Sequence, residues 1–298
     1  MMRSLHTARI PDETTPGIAP IRGDEIGRFD QFFLASGRFG HPVYYAGSHR
    51  DPALLLLPEI AGFSPGLCML AERLIDARFQ VFVPWLFGPL GRRAPLRNGI
   101  RLCISREFAN LRRGVSSPIT MWLRALTAHI SKHCGGAHVG AIGMCLTGAF
   151  AIPLVIDSHV VAAVAAQPSV PLAPLFMAFG IGRESQLSEL NVGNSEIAAA
   201  RARLDAGGAH LLAVRCRADR ICPRAKIERL QREFPLGLET CEYGGPDERN
   251  GLGERPHATF TKEYRLAPNA SADHYSRRAF ADLVAFFDRH LRKCRSRP

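Results

Sequence analysis

The stretch "AHVGAIGMCLTGAFAIPLVI", residues 137–156, indicates how this chain folds. Its first half is a short apolar run typical of a buried strand, and its second half continues as a predicted helix despite Pro153. Between them Cys145 follows Gly143 by two residues and precedes Gly148 by three. A strand that turns sharply into a helix raises one side chain clear of the sheet, as in the nucleophile elbow Gly-x-Ser-x-Gly.

Cys145 has two interpretations on this pattern alone. At the first turn of a helix, unpaired backbone amides and the helix dipole favour a thiolate, which is a nucleophile. A cysteine is also a small apolar residue that fills buried space. The spacing is a variant of the elbow, because Thr147 stands where the downstream glycine is expected. The choice between a nucleophilic and a space-filling Cys145 therefore depends on the neighbouring strands and helices.

Strands and helices alternate along the chain. Apolar runs at "ALLLLPEI" (53–60), "QVFVPWLFG" (80–88) and "VVAAVAAQPSV" (160–170) predict strands buried on both faces. An amphipathic helix, "SPGLCMLAERLIDARF" (64–79), separates the first two, with Ser64 as its cap. This alternation predicts an α/β fold, in which a mostly parallel sheet is covered by helices on both faces.

The length and composition predict one main domain. The chain has 298 residues, 46% of them hydrophobic, which is enough for one large core. We expect residues 1–35 to be a loose N-terminal extension and residues 36–294 to form a single α/β domain. Residues 171–205, which begin with "PLAPLFMAFGI", are predicted to be a helical insertion or cap.

Charge and cysteine usage exclude several other classes. The net charge is +11, but the arginines are dispersed, so a solvated basic face is favoured over a nucleic-acid site. A basic pocket that favours an acidic substrate is an open alternative. The eight cysteines form no Cys-x-x-Cys pair and no zinc-ligand spacing, which predicts reduced thiols and no metal. The sequence has no apolar run of signal-peptide or membrane-span length. We therefore expect a cytoplasmic protein without nucleic-acid or membrane partners, either a monomer or a homodimer.

A carboxylate and an imidazole follow two later strands. Asp219 lies in "RADRICP" after the predicted strand "HLLAVRC", and His257 lies in the polar loop after "GLETCEY". The chain order of Cys145, Asp219 and His257 is the order of nucleophile, acid and histidine in the α/β-hydrolase fold. In such a set the carboxylate holds the imidazole in one tautomer.

Other interpretations of these two residues remain open. Asp219 is also a common type of turn residue, and His257 is also a common type of exposed loop residue. His274 and His290, at the two ends of the predicted terminal helix, are rivals to His257 but are less well placed.

An oxyanion hole is expected from two backbone amides. Leu146, the residue after the predicted nucleophile, supplies one. The turn after the strand "ALLLLPEI" is expected to supply the other at Ile60, with Gly62 keeping that turn narrow.

Taken together, these segments resemble the dienelactone hydrolase family of α/β-hydrolases. The matching motifs cover roughly residues 40 to 292 in consistent order, namely "PEIAG", "PWLFG", "GMCLTGAF", "ADRICP" and "HATFT". The resemblance implies that Cys145 is the nucleophile, His257 the base and Asp219 the acid that orients it. It also implies that Glu59 takes part in controlling the ionisation of the cysteine and that Arg106 binds a substrate carboxylate.

The expected reaction is hydrolysis of an ester or lactone, including a carboxylate-bearing enol-lactone, through a thioester and without a cofactor. Three alternatives remain open. The chain could be a general carboxylesterase or thioesterase of the same fold, or a catalytically silent protein that binds a small acid. It could also be a redox sensor in which Cys145 oxidises, for which Cys134 is the nearest partner in sequence.

Overall fold

One eight-stranded sheet forms the centre of the molecule. The computed structural model describes residues 29–86, 88–90, 117–169, 188–244, 256–265 and 274–292. The sheet order is β1-β2-β4-β3-β5-β6-β7-β8. The strands are β1 (Asp30–Ser36), β2 (Phe39–Ala46), β3 (Ala53–Leu56), β4 (Gln80–Pro84), β5 (Val139–Met144), β6 (Val160–Ala166), β7 (His210–Cys216) and β8 (Leu238–Tyr243). Strands β3 to β8 run parallel, whereas β1 and β2 are antiparallel at one edge.

Helices connect the parallel strands. The described helices are α1 (Pro65–Asp76), α2 (Pro118–His133), a 3-10 helix (Cys145–Phe150) continued by α3 (Ala151–Leu154), α4 (Asn194–Asp205), α5 (Arg224–Glu233), α6 (Lys262–Arg265) and α7 (Tyr275–Phe287), which a π turn (Asp288–Arg292) extends. Ser64 caps α1 as predicted, because its hydroxyl accepts a hydrogen bond from the backbone N–H of Leu67. No helix among these residues is long and apolar enough to cross a membrane.

Alternate residues of the central strands enter two separate cores. In β3, Leu55 packs in the core that contains Trp122 of α2, whereas Leu54 packs in the core that contains Leu70 of α1. Helices α2 to α5 cover the first face, and α1 and α7 cover the second. The structure therefore confirms the predicted mostly parallel sheet with helices on both faces, which explains why these strands are apolar without alternation.

Two segments that the sequence placed outside the core of the domain contribute to it in the structure. The N-terminal extension was expected to reach residue 35, but β1 pairs with β2 from Asp30↔Tyr45 to Ser36↔Phe39. The residues of this strand are half-buried or exposed and some are polar, so its pattern is weaker than that of the buried strands. The described part of the predicted insertion at 171–205 contains α4, which is the crossover helix between parallel strands β6 and β7. It belongs to the layer that covers the sheet, because Ile197 and Leu204 are buried in the first core.

The topology brings the predicted site residues to one edge. Parallel strands end at the same side of a sheet, and ligands of such sheets bind outside their carboxyl ends. Glu59 follows β3, Cys145 follows β5 and Asp219 follows β7, while His257 lies beyond β8. Sequence segments far apart along the chain thus meet at this edge.

Candidate active site

Cys145 occupies a sharp turn between β5 and the 3-10 helix. Met144 has an extended backbone, with φ −132° and ψ 141°, and Cys145 then takes a positive φ of 56°. For a residue with a Cβ, this left-handed conformation costs roughly 1–2 kcal/mol. A strained residue of this kind persists only where the surroundings impose it, and such residues cluster at functional sites. The side chain is 6% exposed.

Gly143 is required by the tightness of this turn. A Cβ at this position would lie 2.1 Å from the carbonyl oxygen of Thr147. No real Cβ approaches backbone oxygen so closely, so the turn could not close around any other residue. The upstream glycine of the elbow motif therefore has a steric explanation here.

The variant downstream half of the motif also has an explanation. The hydroxyl of Thr147 accepts a hydrogen bond from the backbone N–H of Met144 at 2.9 Å and donates one to the carbonyl of Met144 at 3.0 Å. Threonine at this position therefore ties the turn together. Gly148 is the position that needs to be small, because a Cβ there would lie 2.9 Å from the Cα of Pro168.

Replacing Gly143 by alanine is expected to destabilise the fold. The overlap with the backbone of Thr147 would force the turn open, at a cost of about 1–3 kcal/mol or more. Thermal unfolding monitored by circular dichroism would measure it. Gly208→Ala is the matched control, since a Cβ there meets nothing closer than 3.4 Å. Equal melting temperatures for the two variants would contradict the steric explanation.

Asp219 and His257 form a close pair. The Nδ1 atom of His257 lies 2.7 Å from Oδ2 of Asp219. The other oxygen, Oδ1, accepts hydrogen bonds from the backbone N–H groups of Ile221 at 2.8 Å and Cys222 at 3.1 Å. The carboxylate side chain is fully buried, whereas that of His257 is 15% exposed. A carboxylate held by two amides is a fixed acceptor, which leaves Nε2 of the imidazole directed away from it.

Ser169 lies between Cys145 and His257. Its hydroxyl oxygen is 3.3 Å from Sγ of Cys145 and 3.5 Å from Nε2 of His257. The serine is 2% exposed. Ser169 was not among the residues predicted from the sequence, although its position near the end of the apolar run "VVAAVAAQPSV" was a usable signal. The structure therefore places four polar side chains in one row: Cys145, Ser169, His257 and Asp219.

The surroundings of His257 favour its protonated form. Burial lowers the pKa of the imidazole, but the Cys145 sulfur and the Asp219 carboxylate both raise it. The net effect places the pKa of His257 well above the ordinary 6.5. The imidazole thus retains a proton to higher pH than a free histidine does, and that proton faces a group able to carry negative charge.

Glu59 is buried beside this row. It is 8% exposed, and its Oε2 accepts a hydrogen bond from the hydroxyl of Thr261 at 2.9 Å. Its Oε1 accepts a longer one, 3.4 Å, from the side-chain amide of Gln167. Both of these donors are neutral side chains. Gln167 has a positive φ of 37° and directly precedes the segment that carries Ser169.

The two predicted oxyanion amides belong to neighbouring turns. Leu146 follows Cys145 in the first turn of the 3-10 helix. Ile60 lies in a tight turn after β3, which the N–H of Gly62 closes by donating to the carbonyl of Glu59 at 2.8 Å. Gly62 has a φ of 78°, so glycine does serve the narrow turn that the sequence predicted.

Some predictions lie outside the described residues. Arg106 and residues 170–187 fall there, so the expected carboxylate-binding arginine and the first half of the 171–205 segment stay predictions. Within the described ranges, no group of three or more histidine, cysteine or acidic residues could hold a metal ion.

The model of the dienelactone hydrolase family matches residues 42–205, more than half of the sequence. The chain belongs to the dienelactone hydrolase family. The matched range includes Glu59, Cys145 and Ser169, whereas Asp219 and His257 lie beyond it. No curated protein matches the chain.

Solved structures show the α/β-hydrolase fold of this family member. A dienelactone hydrolase from Anabaena variabilis has 12% identity and a TM-score of 0.56, over 89% of this chain and 99% of its own. A dienelactone hydrolase-like promiscuous phosphotriesterase from metagenomic libraries has 14% identity and a TM-score of 0.58, over 88% and 98%. An esterase of Pyrococcus furiosus has 9% identity and a TM-score of 0.56, over 92% and 97%.

Proposed function

We propose that this dienelactone hydrolase family member cleaves an ester or lactone with Cys145 as nucleophile, His257 as general base and Asp219 as its orienting acid. One observation carries the proposal: Cys145 has a strained left-handed backbone and lies in a hydrogen-bonded row that ends at the His257–Asp219 pair. A cysteine that only filled space would need neither feature.

The row supports a two-step mechanism. After its proton has passed to His257, the Cys145 sulfur attacks the carbonyl carbon as a thiolate, and the amides of Ile60 and Leu146 hold the resulting oxyanion. His257 then returns the proton to the leaving alkoxide, and a thioester on Cys145 remains. Water, deprotonated by the same imidazole, attacks the thioester and releases the acid.

The chemistry of the thiolate narrows the substrate class. A thiolate is a good nucleophile but also a good leaving group, so activated esters and strained lactones suit it better than amides. The surroundings of His257 fit the same requirement: burial lowers its pKa, but Cys145 and Asp219 raise it well above 6.5, and an imidazolium can protonate the leaving alkoxide. Glu59, which is buried and follows the neighbouring strand β3 at the same edge of the sheet, is proposed to tune the ionisation of Cys145.

The acyl-enzyme intermediate provides the test. Wild-type protein is mixed with a panel of aryl esters and lactones, with and without a carboxylate, quenched in acid and digested. Mass spectrometry of the peptide that contains Cys145 is expected to show the mass of the acyl group on the sulfur. Release of the aryl alcohol in an initial burst is expected to accompany it.

The same panel separates the alternatives. Turnover of simple esters or thioesters but not of lactones would favour the general carboxylesterase or thioesterase. A chain that binds small acids without turnover and forms no acyl adduct on Cys145 would contradict the proposal. A preference for the carboxylated members would support the acidic substrate expected from the basic composition, and equal rates for charged and uncharged esters would contradict it.

A further inference from the structure

The segment Gln167–Ser169 is fixed to the elbow through its backbone. The N–H of Ser169 donates a hydrogen bond to the carbonyl of Cys145 at 3.0 Å. Pro168 packs against Gly148, where a Cβ would lie 2.9 Å from its Cα. The absence of a side chain at Gly148 thus lets the segment Gln167–Ser169 lie against the 3-10 helix that begins at Cys145. The hydroxyl of Ser169 therefore has a defined position relative to the sulfur.

The hydroxyl has the right bonding capacity for its two neighbours. A serine hydroxyl donates one hydrogen bond and accepts up to two. Because Nδ1 of His257 faces Asp219, the remaining nitrogen, Nε2, is the one that contacts Ser169, and the imidazole also interacts directly with the Cys145 side chain. In the neutral state the Cys145 thiol donates to Oγ of Ser169, and the serine O–H donates to Nε2.

The reversed arrangement suits the charged state. When Cys145 is a thiolate and His257 an imidazolium, the serine O–H donates to the sulfur and Nε2–H donates to the serine oxygen. Hydrogen bonds with one charged partner are roughly twice as strong as neutral ones. The bridge is thus stronger in the charged state than in the neutral one. The 3.5 Å separation from Nε2 is long, as is common before substrate binds.

We propose that Ser169 is a further catalytic residue, whose hydroxyl bridges Cys145 and His257 and stabilises their thiolate–imidazolium state. The inference rests on the proposed function only for its role in catalysis. In the transfer, the S–H bond of Cys145 breaks as an O–H bond to Ser169 forms, and the original serine O–H bond breaks as an N–H bond to Nε2 forms. The serine is unchanged, and one proton has moved from sulfur to nitrogen.

The pH dependence of Cys145 alkylation tests the bridge. Iodoacetamide reacts with thiolates, and peptide mass spectrometry reports the rate at Cys145 separately from the other cysteines. In Ser169→Ala the midpoint of the rate–pH profile is expected to move to higher pH, so that the rate at neutral pH falls by about tenfold. The limiting rate at high pH is expected to stay near that of the wild type.

Two further variants separate the hydroxyl from the packing. Ser169→Thr keeps the hydroxyl and is expected to restore the midpoint towards the wild-type value. Ser131→Ala removes another buried serine hydroxyl, which donates to the carbonyl of Ala137 at 2.8 Å, and is expected to leave the profile unchanged. Circular dichroism melts check that each variant is folded. A wild-type midpoint in folded Ser169→Ala would overturn the inference.

The outcomes separate this inference from the proposed function. Acylation of Cys145 together with an unchanged midpoint in Ser169→Ala would leave the proposed function standing and remove the bridge. A shifted midpoint without acylation of Cys145 would support the bridge and contradict the hydrolase mechanism. An acyl group found on Ser169 itself would overturn both, because the serine would then be the nucleophile.

Discussion

Cys145→Ala is expected to lower kcat/KM for ester hydrolysis by about 10⁴-fold or more, the size of loss that follows removal of a nucleophile. The physical reason is that no other group in the row of polar side chains lies on the strained turn with a φ of 56°. Without the sulfur the acyl group has no carrier, and His257 can only assist a direct attack by water. Initial rates with an aryl ester measure the effect.

A second buried cysteine provides the control for this prediction. Cys68 on α1 is 4% exposed. It packs in the second core, on the face of the sheet opposite to the one that α2 covers. Cys68→Ala leaves a similar small cavity and is expected to retain activity. If Cys145→Ala were as active as Cys68→Ala, another nucleophile would have to be sought.

Asp219→Asn is expected to lower kcat by about 10⁴-fold, as in triads where the orienting carboxylate becomes an amide. The asparagine oxygen can keep the hydrogen bonds from Ile221 and Cys222, so the loop need not move. Its amide N–H₂ would then face Nδ1 of His257 and donate to it. The imidazole proton would be forced onto Nε2. A protonated Nε2 cannot accept the proton that comes from Cys145.

The pKa of His257 gives this variant a second readout. Asp219 raises that pKa by its hydrogen bond and its charge, so its removal lowers the pKa and the imidazole loses its proton at lower pH. In the double variant Cys145→Ala, Asp219→Asn, both main raising partners are absent and burial is expected to bring the pKa below 6.5. NMR titration of the histidine Cε1–H signals measures each midpoint.

Asp157 provides the control for Asp219. Its carboxylate forms a half-buried ion pair with the guanidinium of Arg124 at 2.6 Å, and this pair takes no part in the row at Cys145. Asp157→Asn is expected to leave both kcat and the His257 titration unchanged. If His257 titrated at the same pH in Asp219→Asn as in the wild type, the 2.7 Å contact would not control the imidazole.

Much of the candidate site could be predicted because three of its residues come shortly after strands with a clear local pattern. Cys145, Asp219 and Glu59 each follow an apolar run, and parallel strands place their carboxyl ends together. His257 was less certain from sequence, because a long polar loop separates it from its strand. Its 2.7 Å contact with Asp219 is seen only in the tertiary structure.

The Gly-x-Cys-x-x-Gly spacing illustrates what the sequence could not explain. From the letters alone, Thr147 in place of glycine weakened the motif. In the structure, the Thr147 hydroxyl ties the turn to Met144, and Gly148 makes room for Pro168. The need for a small residue at Gly148 comes from Pro168, which lies in the segment after strand β6. No sequence pattern around residue 145 can therefore reveal it.

The sequence by itself determined the alternating architecture, the elbow and the family, because hydrophobic periodicity, turn residues and chain order are local or sequential properties. Tertiary structure alone decided the membership of β1 in the sheet and the place of Ser169 in the row. Ser169 is 24 residues from Cys145 and 88 from His257, and their meeting depends on the order of the strands. The physical reason is that sheet order is set by the packing of the whole molecule, so contacts between the loops at its edge leave no periodic trace in the chain.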